Sequence, residues 1–203
     1  MTEPCWPVRS ELMRAYHDEE WGRPVHDEAR LLEKIVLEGF QSGLSWEVIL
    51  RKRDAFRDAF AGFEPEPLAR FGDRDVERLL ADATIVRNRR KIEAAIANAR
   101  ATAEMHDRGE TLDALIWSHA PKDPGPAPRT PADLPAQTPE SAALARDLKR
   151  RGFRFVGPTT MYALMQAVGV VDDHLAGCPA REEIEAGRTN DGARRAQAPS
   201  SAP

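Results

Sequence analysis

Apolar residues recur every three or four positions along most of the chain, and no segment shows the strict alternation of a half-buried strand. This period is that of the amphipathic α-helix, so the pattern predicts an all-α protein. The predicted helices cover residues 11–20, 27–42, 45–60, 67–70, 73–81, 87–105, 111–118, 138–151 and 159–168. The proline-rich residues 120–139 predict an extended loop.

The segment Leu37–Trp46 combines an acid, two glycines and a tryptophan. Glu38 falls at the margin of the apolar stripe of its helix, so its carboxylate is aimed at the interior. A buried carboxylate needs a cation, a proton or a ligand that carries donors or positive charge. Gly39 and Gly43 leave space beside it, which indicates a pocket wall. The alternative is a helix corner with Glu38 bound to an arginine and Trp46 in the core, and these residues alone favour it.

Two cysteines and two histidines lie near opposite ends of the predicted domain. Cys5 and His17 are near its start, and His174 and Cys178, four positions apart and suited to one helical face, are near its end. Two thiols and two imidazoles would form a closed tetrahedral shell around a structural zinc ion. The alternative is that the thiols are free and that His17 is an ordinary histidine. Three other histidines have no comparable candidate ligands near them in the sequence and are predicted to be solvated: His26, His106 and His119.

Four aromatic residues form a second group: Trp6, Tyr16, Trp21 and Trp46. The predicted zinc site would bring Trp6 and Tyr16 together. With Glu38 supplying a counter-charge, such a group suits a flat, cationic ligand. The alternative is an ordinary aromatic core.

Residues 138–168 predict two helices joined by a turn between Gly152 and Gly157. In a helix-hairpin-helix, backbone N–H groups of the turn and of the second helix face a phosphate, and flanking Arg and Lys add charge. Similar helix pairs also occur in proteins that bind no nucleic acid. Asp172 and Asp173 follow the second helix, where a carboxylate would face a DNA sugar, cap a helix or support the neighbouring histidine.

Composition limits the class of protein further. The 203 residues carry a net charge of −4, so any surface for nucleic acid must be local. A hydrophobic content of 41% with only two cysteines predicts a core that is stable without disulfides. Residues 1–179 are assigned to one domain, and residues 180–203 are predicted to be a disordered tail. Without a signal-like or membrane-spanning run, the chain is expected to be cytoplasmic and to have no membrane partner.

Five segments together resemble the DNA-3-methyladenine glycosylase I family of the helix-hairpin-helix superfamily. They are Ala-Tyr-His-Asp-Glu-Glu-Trp-Gly (15–22), Leu-Glu-Gly-Phe-Gln-Ser-Gly-Leu-Ser-Trp (37–46), Ile-Val-Arg-Asn-Arg-Arg-Lys-Ile (85–92), Arg-Gly-Phe-Arg-Phe-Val-Gly-Pro-Thr-Thr (151–160) and Val-Asp-Asp-His-Leu-Ala-Gly-Cys (171–178). The resemblance implies an enzyme of base-excision repair that removes 3-methyladenine from alkylated double-stranded DNA by base flipping. It also implies a structural Zn²⁺ and no organic cofactor. We expect a monomer.

The resemblance further implies roles for individual residues. Glu38 would hydrogen-bond the flipped base, Tyr16 and Trp46 would stack on it, and Trp6 and Trp21 would complete the pocket. The zinc ligands would be Cys5, His17, His174 and Cys178. The residues that would grip DNA are Arg151, Gly152, Phe153, Arg154, Val156, Gly157 and Thr159.

Two positions depart from the family's pattern. The family has one residue between the first Cys and the Trp, whereas Cys5 and Trp6 are adjacent here. Asp172 stands where the family usually has Asn, and we hypothesise that it is catalytic together with Glu38, giving electrostatic support to the oxocarbenium-like sugar. Two alternative functions are a zinc-stapled module that binds damaged DNA without cutting it, and a hydrolase that uses its metal directly. The second would need an open coordination position.

Overall fold

A computed structural model describes residues 5, 6 and 8–187, which contain helices, turns and loops but no strand. The α-helices are α1 Glu11–Glu19, α2 Glu28–Gln41, α3 Trp46–Arg51, α4 Arg53–Ala59, α5 Pro65–Ala69, α6 Asp73–Ala81, α7 Arg89–Asp107, α8 Leu112–Trp117, α9 Pro139–Arg150, α10 Pro158–Ala167 and α11, residues 179–187. Short 3-10 turns occur at Ala61–Phe63 and Pro131–Asp133. The all-α prediction is therefore confirmed for the described residues.

Two predicted elements differ from the structure. The single helix predicted over residues 45–60 is two helices, because the backbone leaves the helical conformation at Lys52 (φ −100°, ψ 1°). The Lys52 ammonium donates to the carbonyls of Ala83 and Thr84, which fixes this break against the loop before α7. Residues 179–187 of the predicted tail region are helical, and Ile184 is buried. The remainder of the predicted tail, residues 188–203, lies outside the described residues.

Short polar side chains set the starts of the helices that matter for the site. Ser10, Asp27, Asn88, Thr111 and Thr138 each accept a hydrogen bond from the third N–H of the helix that follows. These oxygens satisfy donors that have no partner inside the helix. Proline at the first position of α9 and α10 adds a fixed helical φ without losing a bond.

Helix α2 is the centre of the fold. Every residue from 31 to 40 is buried, and the helix packs against α7, α8 and α10. Its C-terminal end is closed by Lys91 of α7, whose ammonium donates to the carbonyls of Phe40 and Ser42 at 2.9 and 2.6 Å. A cation at this end also complements the helix dipole. The position and direction of α2 are thus fixed along its length.

The segment that follows α1 crosses the end of α10, and the two backbones are in direct contact there. The Gly22 N–H donates to the Gln166 carbonyl, and the Val25 N–H donates to the Val168 carbonyl, both at 3.1 Å. Gly169 makes this approach feasible, since a Cβ there would lie 2.6 Å from the Gly22 oxygen. The crossing holds the N-terminal segment on the core. No described helix has the length and apolar character needed to cross a membrane.

We predict that Gly169→Ala destabilises the protein far more than Gly109→Ala. Both glycines have positive φ, 75° and 73°, so alanine costs about 1–2 kcal/mol at either position. Only at Gly169 does the new methyl group meet backbone atoms, which adds ~1–3 kcal/mol of overpacking. Urea unfolding of both variants measures the difference, and equal losses would show that the crossing tolerates a methyl group.

Candidate functional site

A cavity of about 310 Å³ opens where α1, α2, α3 and α10 meet. It is bounded by aromatic and aliphatic side chains with a few polar groups among them. The lining residues are Trp6, Met13, Tyr16, Trp21, Glu38, Gln41, Trp46, Leu134, Ala163 and Gln166. The five residues predicted to bind a base are therefore brought together at one cavity.

Aromatic rings make up one continuous wall of this cavity. Ring centroids are 5.4 Å apart for Tyr16 and Trp46, 6.3 Å for Trp6 and Tyr16, and 5.8 Å for Trp6 and Trp21. The rings are tilted or edge-on to each other, so aromatic faces remain for a flat ligand. Trp6 reaches the cavity although it directly follows Cys5 in the sequence.

Glu38 supplies the acid of the cavity and is only 6% exposed. Within the described residues it forms no ion pair, so the alternative in which an arginine neutralises it is wrong. Burial raises the pKa of Glu38 to about 7, and the charge of Lys34, one turn earlier on α2, opposes that shift. A carboxyl group with this pKa changes its hydrogen-bonding role within the neutral pH range.

Three of the four predicted metal ligands meet at the base of the aromatic wall. Candidate ligand atoms of Cys5, His17 and Cys178 all lie within 4.8 Å of one another, and the three residues are buried. The imidazole of His174 packs edge-on against that of His17, with 4.9 Å between ring centroids. Residues separated by some 170 positions in sequence thus form one cluster, as expected for a metal site.

The surroundings of the cluster suit a thiolate–imidazole metal site. The Nδ1 atoms of His17 and His174 lie 2.7 and 2.8 Å from carboxylate oxygens of Asp18 and Asp172, so each Nε2 points away from these carboxylates. The Nε2 of His17 lies 4.0 Å from Cys178 Sγ, whereas that of His174 lies 3.4 Å from the His17 carbonyl oxygen. The Leu175 N–H donates to Cys5 Sγ at 3.2 Å. Burial raises the pKa of the Cys5 thiol to about 12, so a cation is needed for it to be a thiolate.

Asp172 is placed away from the aromatic cavity. Its side chain is 4% exposed, and its Oδ1 contacts both Nδ1 and the backbone N–H of His174. Because Asp172 does not line the cavity, the geometry favours the alternative in which it supports the histidine over a catalytic role. Asp173 accepts hydrogen bonds from Tyr162 and from Gln166, which does line the cavity.

The predicted hairpin lies between α9 and α10. Phe153 and Val156 are buried and anchor it, so their side chains do not lie on its surface. Asn98 of α7 clamps the turn, accepting from the Arg154 N–H at 2.7 Å and donating to its carbonyl at 3.2 Å. The Arg151 guanidinium is paired with Glu110. Three of the predicted DNA-contacting residues are exposed, namely Gly152, Arg154 and Thr159, and Phe155 in the same turn is exposed as well.

The three histidines predicted to be solvated are each paired with a carboxylate. His26 contacts Asp113, His119 contacts Asp147, and His106 lies between Glu28 and Glu66. These two carboxylates raise the pKa of His106, although its partial burial acts in the opposite direction. His26 is exposed, as predicted, whereas His106 and His119 are partly buried against partners that are distant in sequence.

The described residues thus form an all-helical fold with an aromatic cavity around a buried carboxyl group, an arrangement suited to a flat ligand. A family model, methyladenine glycosylase, matches residues 6–182. DNA-3-methyladenine glycosylase 1 of Escherichia coli (strain K12) is 46% identical over 178 residues, or 87% of this chain and 95% of that protein. The chain belongs to the methyladenine glycosylase family.

Solved structures of similar proteins share the fold. A crystal structure of 3-methyladenine DNA glycosylase I matches with a TM-score of 0.84 and 45% identity, covering 87% of this chain and 98% of the other. A 3-methyladenine DNA glycosylase I from Staphylococcus aureus, studied for its recognition of 3-methyladenine, matches with a TM-score of 0.83 and 32% identity over 88% and 95% of the chains. The all-helical architecture is therefore that of this family.

We predict that Glu38→Gln makes the protein more stable than the wild type at alkaline pH. The folded-state pKa of Glu38 is raised from 4.5 to about 7, so wild-type stability falls as pH rises through this window. The shift corresponds to at most ~3 kcal/mol, and the amide removes this penalty. Urea unfolding at about pH 5 and about pH 8 gives the change, with Glu19→Gln, at an exposed position of α1, as the control. If the free energies of unfolding of Glu38→Gln and wild type differed by the same amount at both pH values, this would contradict a buried, titrating carboxyl group at position 38.

Proposed function

We propose that this protein is a DNA-3-methyladenine glycosylase of base-excision repair. It hydrolyses the N-glycosidic bond of 3-methyladenine in alkylated double-stranded DNA, releases the free base and leaves an abasic site. The observation that carries this proposal is the buried Glu38 carboxyl group in an aromatic cavity, within the fold of the methyladenine glycosylase family. One monomer bound over one lesion is sufficient for the reaction.

Cleavage of the glycosidic bond of 3-methyladenine needs little acid catalysis. Methylation at N3 makes the purine cationic, so the bond between C1′ of the sugar and N9 is already weakened. When it breaks, the electron pair stays on N9 and neutralises the base. Water then adds its oxygen to C1′ and releases a proton. The protein's task is to take the nucleotide out of the stack and hold its base in this geometry.

The aromatic rings and the carboxylate of the cavity determine which base it selects. Tyr16 and Trp46 offer ring faces to a flipped cationic purine, and each stack contributes ~1–3 kcal/mol toward the cost of unstacking. The Glu38 carboxylate accepts a hydrogen bond from the exocyclic amino group on the edge of the base. Trp6 and Trp21 close the remaining side. A normal neutral purine gains less from both the rings and the carboxylate.

The hairpin and α10 form a helix-hairpin-helix that holds the DNA backbone. The α10 N-terminus has no side-chain cap, so its N–H groups are available to a phosphate. Arg154 adds a cation beside it, and within the described residues its guanidinium has no ion-pair partner. Phe153, Val156 and Asn98 keep the turn rigid from within. Arg151, Gly152, Gly157 and Thr159 complete the contact surface.

Cys5, His17, His174 and Cys178 hold a structural Zn²⁺. The proximity of three of them, the two histidines oriented by carboxylates and the N–H donor to Cys5 support this assignment. The ion, when bound, supplies the charge that keeps both thiols ionised. The four residues join the start of the chain to its end and so place Trp6 and Tyr16 at the cavity.

We predict that the purified protein releases free 3-methyladenine from methylated duplex DNA and that Glu38→Gln slows release about 10- to 100-fold. The loss corresponds to a hydrogen bond with a charged group, worth ~1.5–3 kcal/mol. Single-turnover release, measured by chromatography of the free base, tests this, with Glu19→Gln expected to match wild type. Binding of methylated DNA without any release would instead identify a damage-binding module.

We predict that the protein contains about one zinc ion per chain and that His17→Ala abolishes its retention. A site filled a thousandfold above its Kd contributes about 4 kcal/mol, so a chelator lowers the Tm by about 10 °C. Elemental analysis measures the metal, and His26→Ala is the control because His26 pairs with Asp113 instead. Loss of tetrahedral Co²⁺ absorption in His174→Ala identifies the fourth ligand. Zinc retained by His17→Ala would contradict the assignment.

A further inference from the structure

A lysine is buried directly behind the aromatic wall. Lys34 of α2 is 4% exposed, and its Nζ lies 4.8 Å from the ring centroid of Tyr16 and 6.0 Å from that of Trp46. The Nζ atom has no hydrogen-bond partner within the part of the chain that the structure describes. Burying an ammonium group in this way is costly. Its presence beside the cavity therefore needs an electrostatic explanation.

Charges on three helical elements face this ammonium group. Glu20, just after α1, lies 3.7 Å away and is itself bound by Arg53 of α4 at 2.6 Å. Glu33 and Glu38 act on it from α2. Burial lowers the pKa of Lys34, the three carboxylates oppose that shift, and Arg53 adds to it. The carboxylates thus favour the charged form of Lys34.

Lys34 stands one turn before Glu38, so the two side chains share a face of α2. Among the described residues, Lys34 is also the one charge that opposes the rise in the pKa of Glu38. Other cations near the wall are occupied, since Arg53 is bound to Glu20 and Arg57 makes two hydrogen bonds to Glu33. Glu38 thus depends on Lys34 for its counter-charge.

We propose that Lys34 is a positioning residue that increases the share of Glu38 in its carboxylate form at neutral pH and so influences which bases the cavity accepts. This inference rests on the proposed glycosylase function. An ionised carboxylate only accepts hydrogen bonds, whereas the protonated acid also donates one. The carboxylate matches a cationic base with N–H groups on its edge. Lys34 acts through Glu38, from behind the rings, without touching the base.

The test is Lys34→Met, which removes the charge and keeps an apolar chain of similar length. The acidic limb of the pH profile of kcat/KM should move to higher pH by about one unit, with the alkaline plateau retained. Lys52→Met is the matched control, because Lys52 binds the carbonyls of Ala83 and Thr84 and should leave the profile unchanged. Because the Lys34 Nζ makes no hydrogen bond and Glu20 keeps its bond to Arg53, the substitution should not impair folding, which unfolding in urea verifies.

A direct titration separates this inference from the proposed function. The Glu38 carboxyl carbon is followed by ¹³C NMR in wild type and Lys34→Met, and Glu38→Gln assigns the signal. A titration midpoint displaced upward in Lys34→Met supports the inference even where no base is released, an outcome that would overturn the glycosylase function alone. An unchanged midpoint overturns the inference, as does a uniform loss of kcat/KM at every pH.

Discussion

Burial of residues 31–40 of α2 forces the charged side chains among them to find partners away from water. Glu33 is held by two hydrogen bonds from Arg57, and Lys34 is faced by Glu20. Glu38 alone has no such partner among the described residues, and it is the one that lines the cavity. Under the proposed function, the bound base would supply this hydrogen-bonding partner. A helix that is otherwise a core element thereby carries the chemistry of the site.

Much of the site could be predicted because it is encoded locally. The three-to-four residue period of α2 placed Glu38 toward the interior, and the structure confirms its burial. The residues around Tyr16, Trp46 and Cys178 belong to long motifs, so their resemblance to a family was specific. The proximity of Cys5, His17 and Cys178 follows the predicted pairing of the chain's two ends. The full four-ligand zinc site remains a prediction.

Features that depend on distant partners had no comparable signal. Gln166 and Leu134 line the cavity, yet neither belongs to a motif that marks it. The break at Lys52 depends on carbonyls of residues 83 and 84, so a periodic pattern over residues 45–60 could not show it. Asp172 was assigned to catalysis from its place after α10, but its orientation toward His174 is set by tertiary packing. The predictions therefore differed from the structure more in the directions of side chains than in the positions of helices.

The cluster of Cys5 with Cys178 also has a consequence for the order of events during synthesis. The ribosome synthesises the chain from its N-terminus, so the residues of α1 emerge long before the segment that contains Cys178. Trp6 and Tyr16 cannot take their final places until Cys178 has left the exit tunnel. A nascent or prematurely terminated chain therefore lacks the complete cavity.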